Sequence, residues 1–315
     1  MSDAPAAFAL QGVTFKYGDR VALDSLGFSI LPGEVFGFLG PNGGGKSTLF
    51  RLLSTLVPLQ LGSVSVLGLD LRLQVAGIRR LLGVVFQSPS LDRKLSVAEN
   101  IDCAGALYGL SGHTLREARN RAMANAGIAD RASDRVETLS GGLRRRVELA
   151  KATLHEPSIL LLDEPSTGLD PGARVDLWDG LRRLRASTGV TVVFTSHLLE
   201  EEAERADRLA LLHEGRLVAL DTPDALRATL GGDSVELRCR DAAAMAQQLL
   251  DAFQLNVRII DGGVRFEAAT GGMWVGRILE RFPAEVRSIT VGKPTLEDVF
   301  LARTGHRLAP EGGGP

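Results

Sequence analysis

The stretch Gly40-Pro41-Asn42-Gly43-Gly44-Gly45-Lys46-Ser47-Thr48 decides the reading of this chain. It follows the apolar run Val35 to Leu39 and precedes Ser47 to Leu56, a segment of helical character. The pattern GxxxxGK[ST] has its meaning in that setting, between a strand and a helix. Glycines let the backbone curl until successive amides point inward, and the N-terminus of the next helix adds partial positive charge, so the loop is a cradle for phosphate. In it, Lys46 is expected to meet β and γ phosphates and Ser47 to ligate Mg²⁺. Alone, the loop says only that phosphate is bound, and a merely flexible glycine turn is the competing reading.

Two further stretches weigh against that competitor. Ile159-Leu160-Leu161-Leu162-Asp163-Glu164 reads as an apolar strand ending in two carboxylates. Asp163 is suited to hold the hydration shell of Mg²⁺, while Glu164, one position on, faces differently and can polarise an attacking water. Shortly before it, Leu139-Ser140-Gly141-Gly142 opens a helix and offers a hydroxyl with close-approach glycines, a second anion site of the same kind.

In this order the three stretches resemble the ATP-binding cassette (ABC) family over roughly residues 8 to 225. The resemblance implies an α/β P-loop NTPase cassette, with a helical subdomain at about 88–156, that binds ATP and Mg²⁺ and hydrolyses the ATP. It also assigns roles. Tyr17 resembles the aromatic that stacks on adenine. Gln87, after the strand Leu82 to Phe86, resembles the glutamine that contacts Mg²⁺ or water and passes nucleotide state to a membrane partner. Asp170, in Ser166-Thr167-Gly168-Leu169-Asp170, resembles the aspartate that aligns an opposing subunit. His197, after Val192 to Ser196, resembles the switch histidine that bonds the γ-phosphate, leaving His113, His155, His213 and His306 as surface or packing residues. Leu143 departs from the family pattern, standing where many members have glutamine, and Gly44 stands where alanine or serine is common.

Family members work as two cassettes that sandwich two ATP molecules, each between the phosphate loop of one and the signature of the other. One chain here has one loop and one signature, Ser140, Gly141 and Gly142. The resemblance therefore implies a dimer, with a second copy or a related cassette.

Beyond Gly231-Gly232 the pattern changes. Val235 to Cys239 alternates with charges, Ala242 to Phe253 is helical, Val257 to Ile260 and Val264 to Phe266 flank Asp-Gly-Gly, Met273 to Arg281 is helical, and Val286 to Val291 alternates again. That β-α-β-β-α-β order predicts a small α+β, ferredoxin-like domain over 231–309 after a cassette over 1–230. A final helix starts at Thr295, where Thr-Leu-Glu-Asp offers a capping box, and the tail 310–315 reads as disordered. No catalytic constellation appears in this third, which suits a packing, dimer-stabilising or regulatory element. Lys293-Pro294-Thr295-Leu296-Glu297-Asp298-Val299-Phe300-Leu301 and Ser140-Gly141-Gly142-Leu143-Arg144-Arg145-Arg146 resemble the drug-resistance, daunorubicin-type exporter branch. The three arginines themselves read as a solvated helix face.

Composition bounds the task. A net charge of -2 gives no footprint for nucleic acid, and two cysteines, Cys103 and Cys239, read as inert apolar fillers in a reducing compartment. The start, MSDAPAAFAL, lacks a secretory signal, and the apolar runs stop far short of the ~20 residues that cross a bilayer. The expectation is an exporter's ATPase subunit, cytoplasmic and held on the inner face of the cell membrane by a separate membrane-spanning permease. The alternative is a soluble cassette mechanoenzyme acting on ribosomes or DNA, which tends to carry two cassettes or a long coiled-coil insertion, neither visible here. A nucleotide-binding regulator that does not hydrolyse is a third reading, opposed by Glu164 and His197.

Overall fold

A computed structural model describes residues 5–306. The chain divides into two compact units between Leu220 and Asp221. In the first, β1 (Phe8–Tyr17) and β2 (Arg20–Ile30) pair before β3 (Val35–Leu39), α1 (Lys46–Leu53), β4 (Leu61–Val66), β5 (Leu69–Asp70), α2 (Val75–Leu81) and β6 (Leu82–Val85). Three helices follow, α3 (Val97–Leu107), α4 (Gly112–Asn125) and α5 (Gly141–Thr153), then β7 (Ile159–Asp163), α6 (Pro171–Thr188), β8 (Thr191–Ser196), α7 (Leu199–Ala203), β9 (Arg208–His213) and β10 (Arg216–Asp221).

Two sheets result. The six-stranded one runs β10-β9-β3-β8-β7-β6, with β3 parallel to β8 and β9, and β7 parallel to β8 and β6. Every residue of β3 and β8 is buried, as expected of central parallel strands covered on both faces. The second sheet, β2-β1-β4-β5, is antiparallel, and the sequence reading did not anticipate it. The rough alternation from Phe8 to Tyr17 marks β1, but its partner β2 hides because the pairing of the two shifts register three times and Ser25 takes a left-handed φ of 51°. One apolar core ties α1 to both sheets, through Phe8, Val13, Phe36, Phe38, Leu49 and Val64 among others. Burying a side chain of that size contributes roughly 1.5–3 kcal/mol.

α3, α4 and α5 pack around a core of their own built on Val97, Ile101, Ala122, Met123 and Val147. Leu143, the departure from the family pattern, packs against this core, so its apolar side chain has a structural use.

The second unit holds α8 (Pro223–Ala228), β11 (Asp233–Cys239), α9 (Ala242–Phe253), β12 (Arg258–Ile260), β13 (Gly263–Ala268), α10 (Gly272–Arg281), β14 (Val286–Gly292) and α11 (Leu296–Thr304). Its antiparallel sheet runs β12-β13-β11-β14, with β13 inserted between β11 and β12, the split arrangement of the βαββαβ unit. The division falls ten residues before the expected boundary at 230 because α8 packs with α11 rather than ending the cassette. Cys239 is buried in this unit's core, whereas Cys103 is exposed and fills no core. The tail 310–315 lies outside the described residues.

The Lys293 to Leu301 stretch acquires a mechanical meaning here. Thr295 caps α11, its hydroxyl accepting from the Asp298 amide, while the Asp298 carboxylate accepts from the Thr295 amide at 2.7 Å and hydroxyl at 2.8 Å. The same carboxylate, 6% exposed, also takes the guanidinium of Arg265 on β13. One buried aspartate thus closes a helix cap and fastens the helix to the sheet.

Candidate functional site

Parallel register brings distant motifs to one level. Asp163 pairs with Thr195 across β7 and β8, Leu39 with Ser196 across β3 and β8, and Val85 with Leu162 across β6 and β7. The loop after β3, Gln87 after β6, Asp163 and Glu164 at the end of β7 and His197 after β8 therefore gather outside the carboxyl ends of the strands, where open α/β sheets hold ligands.

The glycine loop is shaped by close approach. Gly40 has φ 152°, and a β-carbon there would lie 2.2 Å from the Leu212 carbonyl oxygen. Gly45 is left-handed at φ 102° and begins α1, which no side chain caps. The first helical amides thus remain for an anion. Lys46, 4% exposed, folds its Nζ back to donate to the carbonyls of Gly40 at 2.7 Å and Pro41 at 3.0 Å. Burial pushes this ammonium below lysine's usual range, while Glu164 and Asp163 push it back up. A cavity of about 150 Å³ over the loop is lined by Tyr17, Asn42, Gly43, Gly45, Lys46, Ser47 and Thr48 together with Arg20 and Ala22. Tyr17 stands 45% exposed with its ring edge-on to Phe15 at 5.0 Å.

Glu164 is held in a strained conformation, φ 44°, by its amide, which donates to the Thr195 carbonyl at 3.2 Å and hydroxyl at 3.0 Å. Such a backbone costs on the order of 1–3 kcal/mol and survives where the surroundings over-determine it. Here it aims the carboxylate into a set of donors. Gln87 Nε2 donates to Oε2 at 3.0 Å and the Thr167 hydroxyl at 3.1 Å, while His197 Nδ1 lies 3.2 Å from Oε1. The neighbouring Asp163 accepts from the Thr195 hydroxyl at 2.6 Å. Desolvation raises its pKa; Thr195 and the guanidinium of Arg145 pull it down, and Glu164 pushes it further up. A half-buried, partly desolvated carboxylate suits a cation, and Mg²⁺ needs only one or two protein oxygens beside phosphates and waters. The donor set of Ser47 hydroxyl, Asp163 carboxylate and Gln87 amide fits that ion.

The structure does not bring every candidate to this place. Ser140 is exposed at the start of α5, where its hydroxyl accepts from the Leu143 amide at 3.3 Å, and neither it nor Gly141 or Gly142 lines the cavity over the loop. Gly142 lies against α6, where a β-carbon would meet that of Ala173 at 2.8 Å. Asp170 caps α6 through the Ala173 amide at 2.9 Å. The signature and the loop Ser166 to Asp170 are thus neighbours of each other.

Two site residues escaped the sequence reading. Thr195 looked like an interior strand residue but bridges Asp163 and Glu164. Arg145 stood in a basic run read as a solvated face; it is 8% exposed, donating to the carbonyls of Phe86 at 2.6 Å, Asp163 at 3.0 Å and Pro165 at 3.1 Å. The run faces three ways on a helix, and only Arg146 pairs with an acid, Asp176, at 2.6 Å. No local signal singles out Arg145, because Glu148 lies one turn from Arg144 as well and bonds Ser90.

Comparisons with known proteins agree on the kind of chain this is. A family model described as ABC transporter matches residues 23–167. The daunorubicin resistance ATP-binding protein of Streptomyces coeruleorubidus is 37% identical over 96% of this chain and 97% of its own. The Nod factor export ATP-binding protein I of Rhizobium sp. (strain N33) is 35% identical over 96% and 98%. Among solved structures, an ATP-binding cassette captured as a dimer after hydrolysis with ADP and Pi superposes with a TM-score of 0.61 at 28% identity, covering 68% of this chain and 98% of its own.

Proposed function

The chain belongs to the ABC transporter family, and from that premise we propose that it is the ATP-hydrolysing subunit of an exporter, working as a pair of cassettes on a separate membrane-spanning permease. The observation that carries the reading is the convergence of Lys46, Asp163, Glu164, Gln87 and His197 at the ends of four parallel strands. The relatives described above are named for resistance and export, and they lend the mechanoenzyme alternative no support.

Tyr17 would stack on the adenine and the amides of Gly40 to Thr48 would hold the phosphates. Lys46 would exchange the carbonyls of Gly40 and Pro41 for β and γ phosphate oxygens, a better partner for a desolvated ammonium. Bound through Ser47, Asp163 and Gln87, Mg²⁺ would neutralise charge between those phosphates. Glu164 acts as base towards the attacking water, and because three side chains share its two oxygens, Gln87 or Thr167 must yield a position for that water. His197, on the other oxygen, bonds the γ-phosphate. Ser140, Gly141 and Gly142 close over the nucleotide of a second cassette, which their exposure on α5 leaves them free to do, and Asp170 lies at the same junction.

No helix among the described residues is long and apolar enough to cross a membrane, so the reading requires another chain to span. A groove of about 1170 Å³ suits a segment of that permease: it lies beside the exposed Leu56 and Leu107 and contains Tyr108 and His155. On this reading the subunit works at the inner face of the cell membrane, held there by the permease. Glu164→Gln tests the site: we expect retained ATP binding, turnover nearly abolished and a nucleotide-trapped dimer, and wild-type turnover would remove Glu164 as base. Co-expression with neighbouring multi-spanning proteins tests the partner, and a chain that stays apart from all of them in detergent extracts would count against the exporter.

A further inference from the structure

Helix α5 is capped by Ser140, yet three of its side chains reach back to the strand ends and the loop that carry Glu164 and Gln87 in the same chain. Arg145 holds the Phe86 carbonyl, immediately before Gln87, and the carbonyls of Asp163 and Pro165, which bracket Glu164. One turn on, Glu148 takes the amide of Ser90 at 2.7 Å and its hydroxyl at 3.0 Å. Lys151 then donates to the Ser90 carbonyl at 2.8 Å. Spaced three apart, the three lie along one side of the helix. Between them they clasp the segment carrying Gln87 at both ends, and Arg145 alone spans the gap to the strand that carries Asp163.

We propose that Arg145, supported by Glu148, is a positioning residue that couples the signature helix to the catalytic loop of its own chain, so that nucleotide engaged at Ser140 sets the placement of Gln87 and Glu164. The geometry favours a strut over mere packing. A guanidinium presents several donors in a fixed plane, and here each of its three nitrogens donates to a different backbone carbonyl, from two different strand ends. A lone ammonium cannot serve three such points at once. Movement of α5 by a fraction of an ångström must therefore move the backbone on both sides of Glu164 or break buried, charge-assisted bonds. In a pair of cassettes this wires each chain's signature, which reads the nucleotide held by its partner, to the base that attacks its own nucleotide. Firing at one site then depends on occupancy of the other.

The proposal rests on the assignment of Glu164 and Gln87 to the reaction, and the test separates the two. In the full-length chain, Arg145→Met, Arg145→Lys, Glu148→Gln and, as a control on the same helix, Arg146→Met are compared for affinity towards a fluorescent ATP analogue, kcat and cooperativity in ATP. Arg145→Met should lower kcat about 10- to 100-fold, the scale of an ångström-level misplacement, with nucleotide affinity unchanged and cooperativity lost. Arg145→Lys, which keeps the charge and reaches fewer carbonyls, should recover part of the rate, as should Glu148→Gln, while Arg146→Met should turn over as wild type. These two milder variants carry the test if Arg145→Met fails to fold. Losses of kcat that merely follow equal losses of affinity, or full turnover in Arg145→Met beside a silent Glu164→Gln, would overturn the strut alone. Full turnover in Glu164→Gln would remove both the assignment and the strut.

Discussion

Replacing Thr195 with valine keeps the shape of a side chain that is 1% exposed and deletes one hydroxyl. That hydroxyl donates to Asp163 at 2.6 Å and accepts from the Glu164 amide at 3.0 Å. The amide keeps a second acceptor, the Thr195 carbonyl at 3.2 Å, so the cost falls mainly on the carboxylate. A hydrogen bond to a charged group contributes about 1.5–3 kcal/mol to stability. Asp163 is already pushed towards its protonated form by burial, and without the hydroxyl it can escape part of the cost by taking up a proton. We therefore expect a loss of about 2 kcal/mol, the middle of that range. Thr195→Ser is the counterpart: it keeps the hydroxyl and loses one buried methyl, for about 1 kcal/mol. The assay is urea unfolding without Mg²⁺, followed at Trp178, whose ring meets Phe194 edge-on at 4.9 Å, in a Trp274→Phe background. Catalysis should follow the hydroxyl, with turnover falling in the valine variant and near wild type in the serine one. If valine is as stable and active as threonine while serine is worse, Thr195 is a packing residue and the bridge argument fails.

Two further outcomes follow from other sites. In Asp298→Ala the cap of α11 loses its reciprocal half and the Arg265 guanidinium, 22% exposed, keeps only Ser234 at 2.6 Å and Glu236 at 3.9 Å. The second unit should lose about 2–3 kcal/mol, a cap plus part of a severed ion pair, read from unfolding at Trp274 in a Trp178→Phe background; a loss no larger than that of Thr295→Ala would show that Arg265 adds nothing. His155 lies stacked on Tyr108 at 3.8 Å with Nε2 at 3.0 Å from the Leu82 carbonyl, and burial holds its pKa below the usual 6.5, partly offset by that carbonyl. The unfolded chain thus binds the proton more readily, so this contribution is fully present above pH 6.5 and is lost as pH falls towards the depressed pKa of the folded state. His155→Gln should flatten the decline in stability from neutral pH to mild acid, and an unchanged slope would rule His155 out as its source.

Much of this was legible because local chemistry and tertiary demand coincide. The run Ile159 to Leu162 is apolar at every position because β7 lies inside the sheet, and a carboxylate pair can follow only where the strand emerges. Thr295 and Asp298 announced a cap because a capping box is local. What stayed hidden depends on partners far along the chain. The Arg145 carbonyl partners lie 18 to 59 residues away, so nothing in Leu143-Arg144-Arg145-Arg146 distinguishes the buried arginine from its neighbours. In the antiparallel sheet β1 is legible from its rough alternation, while β2 and β4 hid for another reason, since register shifts blur the period by which half-buried strands are found. The domain boundary slipped because α8 looks like a helix ending one unit when its contacts belong to the next.

The register of the parallel sheet bears on how such a chain can diverge. Asp163 and Glu164 face Thr195, and Leu39 faces Ser196, through backbone ladders that are indifferent to which apolar side chains fill the strands. Exchanges inside β3, β7 and β8 that keep volume can therefore accumulate. A single deletion within β8 is a different kind of event: it would slide His197 and Thr195 one rung against Asp163 and turn every following side chain to the opposite face. Drift in letters is tolerated here, but drift in length is not.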